Sequence, residues 1–154
     1  MEDIEYPDVL VFDLDPGERV EWPFVTDTAL RLREMLAEEG HRDSWPKLTG
    51  GKGVHVVVPI ERGMTHNQAH AYCRGVAERL AGTDPQRYMT SAALAKRPGR
   101  LFVDYLRNGR GTTAIGTYSL QNGADSMSPN GPMIFDALGH LYGTALRVVF
   151  QITP

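Results

Sequence analysis

A chain of 154 residues, 42% hydrophobic and 23% charged, has the make-up of one globular domain, which excludes a disordered polymer or a fibrous repeat. No apolar run approaches the roughly 20 residues of a membrane helix, and the acidic start Met1-Glu2-Asp3-Ile4-Glu5 lacks a signal-peptide core. A net charge of −3 argues against a general polyanion binder, yet the charge is uneven: 13 acidic and 4 basic residues through Trp45, then 6 acidic and 12 basic.

Val9-Leu10-Val11-Phe12-Asp13-Leu14-Asp15 reads as a strand stopped by Pro16-Gly17. The spacing of Ala29, Leu32, Met35 and Leu36 predicts a helix over 26–39, capped by Thr26 or Asp27 and ended by Gly40. Trp45 to Thr49 is a short strand, Gly50-Gly51-Lys52-Gly53 a turn, and Val54 to Ile60 a further strand. Thr65-His66-Asn67-Gln68 has the Thr-x-x-Gln form of a capping box. It opens a helix with the stripe Ala69, Tyr72, Cys73, Val76, Ala77 and Leu80, and Gly82 supplies the stop. Residues 83–99 show no clear period. Strand Leu101 to Leu106, an Asn108-Gly109 turn and strand Thr112 to Ser119 follow. Residues 120–154 mix Gly, Asn, Ser, Pro and Met around the apolar run Ala145 to Ile152, which periodicity assigns neither to helix nor to strand.

The order is β-α-β-β-α-β with an added strand, an α+β fold of the ferredoxin-like or RRM-like kind. Such a fold is an open antiparallel sheet with both helices on one face. Its first and third strands are central neighbours, and the fourth lies beside the first. Cys73, the lone cysteine, cannot close an internal disulfide; in its apolar stripe it is a small buried side chain, and it fits a reducing cytosol.

Strand alternation puts Asp13 and Asp15 on one face and Phe12 and Leu14 on the other. If Phe12 and Leu14 pack under the helices, the carboxylates occupy the open face, about 7 Å apart at a rise of roughly 3.3 Å per residue. Leu101 and Val103 alternate with Asp104 in the same way, which brings a third carboxylate to that face. Clustered carboxylates call for a cation, and oxygen-only ligands select Mg²⁺ or Mn²⁺. Taken alone, an Asp-x-Asp at a strand end is more often two carboxylates with no partner. His55, between Val54 and Val56, falls on the aspartates' face. The glycine-rich turn lets backbone amides approach a phosphate and adds the charge of Lys52, though a plain solvated hairpin has the same sequence. Lys96, Arg97, Arg100, Arg107 and Arg110 surround Asp104, a mixture suited to holding metal and phosphate together. His66 and His70 have zinc-helix spacing but lack the intervening glutamate, so a zinc site is disfavoured.

Three ordered blocks carry a resemblance: Val11-Phe12-Asp13-Leu14-Asp15-Pro16-Gly17, Thr49-Gly50-Gly51-Lys52-Gly53-Val54-His55, and Phe102-Val103-Asp104-Tyr105-Leu106-Arg107-Asn108. Over about residues 8–119 the chain resembles the polymerase domain of bacterial DNA ligase D, of the archaeo-eukaryotic primase superfamily. The resemblance implies that Asp13, Asp15 and Asp104 are the catalytic metal ligands, holding two Mn²⁺ or Mg²⁺ ions. It further implies that Thr49, Gly51, Lys52, His55 and Arg97 bind the nucleotide. The implied reaction adds nucleotides or ribonucleotides from nucleoside triphosphates to DNA ends in non-homologous end joining, in the bacterial cytoplasm and alongside Ku and a ligase domain. It divides the chain into a catalytic core over 1–119, lacking the family's N-terminal segment, and an atypical tail over 120–154. In that tail Gln121 and Gly123 stand where the family carries triphosphate-binding arginines. Two alternatives remain beside it: an inactive or truncated polymerase-domain fragment, and a non-catalytic RRM-like module that binds nucleic acid.

Overall fold

A computed structural model describes residues 6–48, 51–93 and 97–112, together with the backbone of three strands between 134 and 152. The elements of the first part are β1 (Val9–Pro16), α1 (Trp22–Glu38), β2 (Trp45–Leu48), β3 (Val54–Pro59), α2 (His66–Thr83), β4 (Tyr88–Met89) and β5 (Leu101–Asp104). They form one sheet of order β2-β3-β1-β5-β4, in which β1 runs antiparallel to β3 and β5. This is the expected α+β arrangement. The expected central pair is β1 and β3, and β5 lies beside β1. The addition is β4, a two-residue strand parallel to β5 in the stretch without a period.

The core lies between this sheet and the two helices. Leu10, Phe12 and Leu14 of β1, Val54, Val56 and Val58 of β3, and Leu101 and Val103 of β5 are buried there. They belong to one cluster with Val25, Ala29, Leu32 and Leu36 of α1 and Ala69, Cys73, Val76, Ala77 and Leu80 of α2. Burying a side chain of this size stabilises the fold by about 1.5–3 kcal/mol, so the cluster accounts for the choice of face.

Three boundaries differ from expectation, each for a local reason. Helix α1 starts at Trp22 rather than near Thr26, because Pro23 suits a first turn and Val25 extends the buried stripe. Thr26 donates back to the Pro23 carbonyl from inside the helix, at 2.8 Å, rather than capping it. Its far end is as expected: Gly40 takes a φ of +96°, while Gly40 and His41 donate to the Ala37 and Leu36 carbonyls. Helix α2 has the predicted capping box at Thr65 and Gln68 but runs through Gly82 to Thr83. One glycine costs about 1 kcal/mol against alanine, too little to stop a packed helix.

Strand β5 ends at Asp104, two residues early, and Leu106–Asn108 form a 3-10 turn. Asp104 Oδ1 accepts the Leu106 N–H at 2.8 Å and so diverts the backbone from the ladder. Asn108 then stands in for the missing strand: its amide donates to the Val11 carbonyl and its Oδ1 accepts the Val11 N–H, both at 2.8 Å. Most of the predicted Thr112–Ser119 strand lies outside the described residues. In the tail, β6 (Ile134–Phe135), β7 (Leu141–Ala145) and β8 (Val148–Ile152) form an antiparallel sheet of order β6-β7-β8. Of the unassigned run, Ala145 ends β7 and Val148–Ile152 form β8, while 146 and 147 lie outside the described residues.

Candidate active site

The strand register builds the site. Asp13 is paired with His55 of β3 on one side and with Asp104 of β5 on the other, while Lys47 of β2 lies opposite His55. Lys47, His55, Asp13 and Asp104 thus form a row across four strands on the face away from the helices. Gly53 makes the approach of β3 possible, since a Cβ there would lie 2.5 Å from the Leu14 carbonyl oxygen. Asp13, His55 and Asp104 are buried despite their polarity.

Burial of that kind requires partners. His55 Nε2 lies 3.3 Å from Asp13 Oδ2, and Arg107 donates to the same oxygen at 3.1 Å. The Arg107 Nε also lies 3.6 Å from Asp104 Oδ2, so one guanidinium bridges two carboxylates. Asp15 shares the face, but its carboxylate is more exposed and is bound by Arg97 at 2.5 Å. Arg97 in turn sits over the Phe102 ring, 4.7 Å from its centre.

These contacts split the two central carboxylates. Burial pushes Asp13 up, but the hydrogen bonds and charges of His55 and Arg107 outweigh it and hold the carboxyl below its usual value. Asp104 moves the other way: burial and the Asp13 charge raise it, and the Leu106 amide, Arg107 and Arg97 offset this only in part. Burial and a neighbouring carboxylate thus prevail at Asp104, and the cationic partners prevail at Asp13. Burial also lowers the Lys47 ammonium.

The donor set of Asp13, Asp15 and Asp104 is oxygen-only, which fits Mg²⁺ or Mn²⁺, and strand register puts Asp13 directly beside Asp104. The three do not converge, however: among the described residues no three His, Cys, Asp or Glu side chains form a ready metal cage. Guanidinium groups supply the compensating charge instead. The donor set fits a divalent cation in chemistry, with Arg97 and Arg107 as the groups whose contacts it would share or replace.

Of the predicted nucleotide-binding residues, His55 is in the row and Arg97 is beside it. The buried His55 Nδ1 has no hydrogen-bond partner among the described residues. Gly51 and Lys52 line a cavity beyond the end of β1. Thr49 lies outside the described residues, as do Gln121 and Gly123. Asn108 and Lys47 were given no role in the sequence, and Arg107 was flagged only as one of five cations around Asp104. Arg107 reaches Asp13 across 94 positions, a link no spacing rule contains; its only local signal is that it follows Asp104 by three. Two other flagged residues are structural. His70 packs edge-on against Tyr105, and the Cys73 thiol is fully buried and pushed up to about 12.

The same fold recurs in a known protein, and similar sequences are found in others. The family described as "LigD, primase-polymerase domain" matches residues 1–127. The multifunctional non-homologous end joining protein LigD of Pseudomonas aeruginosa is 31% identical over 140 residues, covering 91% of this chain and 16% of that protein. The LigD protein of Mycobacterium tuberculosis is 34% identical over 112 residues, covering 73% of this chain and 15% of that protein. Among solved structures, the polymerase domain of Mycobacterium tuberculosis ligase D in complex with DNA superposes with a TM-score of 0.76 and 31% identity. That match covers 81% of this chain and 43% of the other. The chain thus spans about one sixth of the length of these curated relatives. Sequence and fold agree, and the chain belongs to the LigD primase-polymerase domain family.

Proposed function

We propose that this chain is a nucleotidyltransferase core that adds nucleotides, ribonucleotides among them, to DNA 3′ ends in bacterial non-homologous end joining. The observation that carries the reading is the pairing of Asp13 with Asp104 and His55 across three adjacent strands. Asp13, Asp15 and Asp104 would hold two Mn²⁺ or Mg²⁺ ions. Bound there, such ions lower the cost of deprotonating a primer hydroxyl and neutralise charge on the α-phosphate and departing pyrophosphate. His55 and Arg107 hold the Asp13 carboxylate in place from either side. Arg97, Lys52, Gly51, Thr49 and His55 orient the phosphates of the incoming nucleotide. The solved relative is in complex with DNA, which supports DNA as the second substrate. Ku and a ligase domain are the proposed protein partners, and the cytoplasm the proposed compartment. Among the described residues no helix is long and apolar enough to cross a membrane.

The test is primer extension with Mn²⁺ and a labelled ribonucleotide, beside a variant carrying Asp13→Ala and Asp15→Ala. Extension should fall by two to three orders of magnitude or more, on the order of 10²–10³ for the loss of preorganised charge at a reacting phosphate. Equal extension by both proteins would sink the reading. The arginine pairing of Asp13 and Asp15 favours one alternative, a module that binds DNA without transferring nucleotides. In that case DNA binds, neither protein extends a primer, and calorimetry detects no Mn²⁺ binding.

A further inference from the structure

Strand β5 ends at Asp104, and side-chain parity shows what that ending decides. Asp13 pairs with Asp104, so a ladder continued by two residues would set Leu106 opposite Val11. Along such a strand Asp104 and Leu106 would share one face, and Arg107 would point to the other, under the helices. Arg107 instead lies on the carboxylate face, where its guanidinium is 3.1 Å from Asp13 and 3.6 Å from Asp104. The arginine reaches the acidic row because the chain leaves the ladder at Asp104.

Leaving the ladder takes strand partners from the Val11 N–H and carbonyl, and such groups must be paired elsewhere. Asn108 pairs both: its Oδ1 accepts the Val11 N–H and its Nδ2 donates to the Val11 carbonyl, each at 2.8 Å. The same Nδ2 donates to the Tyr105 carbonyl at 2.8 Å and so ties the start of the turn to β1 as well. Asn108 is buried, and among side chains of its length only asparagine carries a donor and an acceptor on separate atoms. On the other flank the Thr112 hydroxyl lies 2.6 Å from the Arg107 carbonyl. This anchoring matters because the Arg107 side chain keeps 40% of its surface in water. A long exposed side chain has many rotamers, and a held backbone is what confines it to two carboxylates.

We propose that Asn108 is a positioning residue of the site: standing in for β5 at Val11, it fixes Arg107 on the carboxylate face between Asp13 and Asp104. The placement of Arg107 rests on these contacts; the consequence for transfer rests on the nucleotidyltransferase reading. Asn108 acts through Arg107 and touches no substrate itself.

The experiment follows the guanidinium protons of Arg107 by NMR of the whole nitrogen-labelled chain, with Arg107→Ala assigning the signals. In the parent they should exchange with water about 10-fold or more slowly than those of exposed Arg33, the scale of one charge-assisted hydrogen bond. Asn108→Ala should bring them to the Arg33 rate. Thr65→Ala, which lowers stability through the α2 cap, should leave them slow. If Asn108→Ala does not fold, Thr112→Val decides: it frees the Arg107 carbonyl at an exposed position and should speed exchange about 3-fold, the scale of one neutral hydrogen bond. Parent protons as fast as those of Arg33, a folded Asn108→Ala as slow as the parent, or equal acceleration by Thr65→Ala overturns the proposal. So does an unmoved Thr112→Val where Asn108→Ala is unfolded. In primer extension Asn108→Ala should lower kcat by about 10²-fold, the scale of a misplacement of about 1 Å. It should add no loss in an Arg107→Ala chain, and additive losses would mean that Asn108 acts apart from Arg107. Exchange that depends on Asn108 in a chain that extends no primer keeps the positioning role and loses the polymerase. Primer extension with Arg107 exchange unmoved by Asn108→Ala keeps the polymerase and loses the role.

Discussion

The two faces of the five-stranded sheet use the same strands and solve different problems. Toward the helices, Leu10, Phe12 and Leu14 meet Val54, Val56, Leu101 and Val103, and all are fully or nearly fully buried. Any apolar side chain of suitable volume satisfies another, so this face tolerates exchange as long as volume is kept. On the other face, Asp13 and Asp15 alternate with those same residues along β1. Each needs a partner of opposite charge at hydrogen-bond distance, and these are Arg107 and Arg97, 94 and 82 positions away. The first face is specified by composition and the second by geometry. Stability should therefore concentrate on the helix side, and function on the side where charges are confined.

The largest expected effect breaks the helix side alone. Phe12→Ala removes a fully buried ring and should cost about 3–5 kcal/mol, measured by urea unfolding. A cost below about 1 kcal/mol would mean that this face collapses around the loss and that the division is wrong. Next comes Gly17→Ala, which drives a Cβ into the Arg97 carbonyl and should cost about 1–3 kcal/mol by overpacking. Because it moves the segment carrying Arg97, nucleotide transfer should fall further than stability does. Unchanged transfer in the folded variant would separate Arg97 from the site.

Thr65→Ala removes the capping box of α2 and should cost about 1 kcal/mol. It lies on the helix side, so Mn²⁺ affinity in calorimetry should not change. The smallest effect lies within the charged face, where the two central carboxylates should respond to acid in opposite senses. Asp13 sits below its usual value, so its ionised form contributes stability above the usual carboxylate range; that contribution is lost as pH falls through its depressed folded value. Asp104 sits above its usual value, so ionisation opposes folding at neutral pH, and the penalty fades as pH falls through its raised folded value. Asp104→Asn should accordingly raise the urea midpoint at neutral pH while abolishing primer extension, and its advantage should shrink on acidification. Asp13→Asn should lower the midpoint, and its deficit should shrink only at lower pH. Parallel behaviour of the two variants would show that Arg107 does not divide them.

Most of the fold was legible without coordinates, and the reasons are local. Period-2 alternation in β1 and β3, the Thr65 capping box and Gly40 each act through neighbours within a few residues. Misplaced boundaries mark where a distant contact prevailed. Gly82 did not stop α2, whose preceding turn is anchored by buried Leu80, and the first turn of α1 was won by burial of Val25. Of the site, the row of Asp13, His55 and Asp104 followed from alternation and strand order together. Thr49 lies outside the described residues, and its proposed role rests on the resemblance.

The sequence by itself determined which residues face the helices, that three carboxylates and a histidine share the opposite face, and that the strand order brings them to neighbouring strands. Side-chain alternation is a property of the extended backbone and needs no tertiary information. Only the tertiary structure decided that Arg107 bridges Asp13 and Asp104, that Asn108 replaces a missing strand beside Val11, and that Arg19 and Lys52 share one cavity. Those pairings depend on how turns fold back across the sheet, and a turn's path is set by specific hydrogen bonds and close backbone approaches that no residue periodicity encodes.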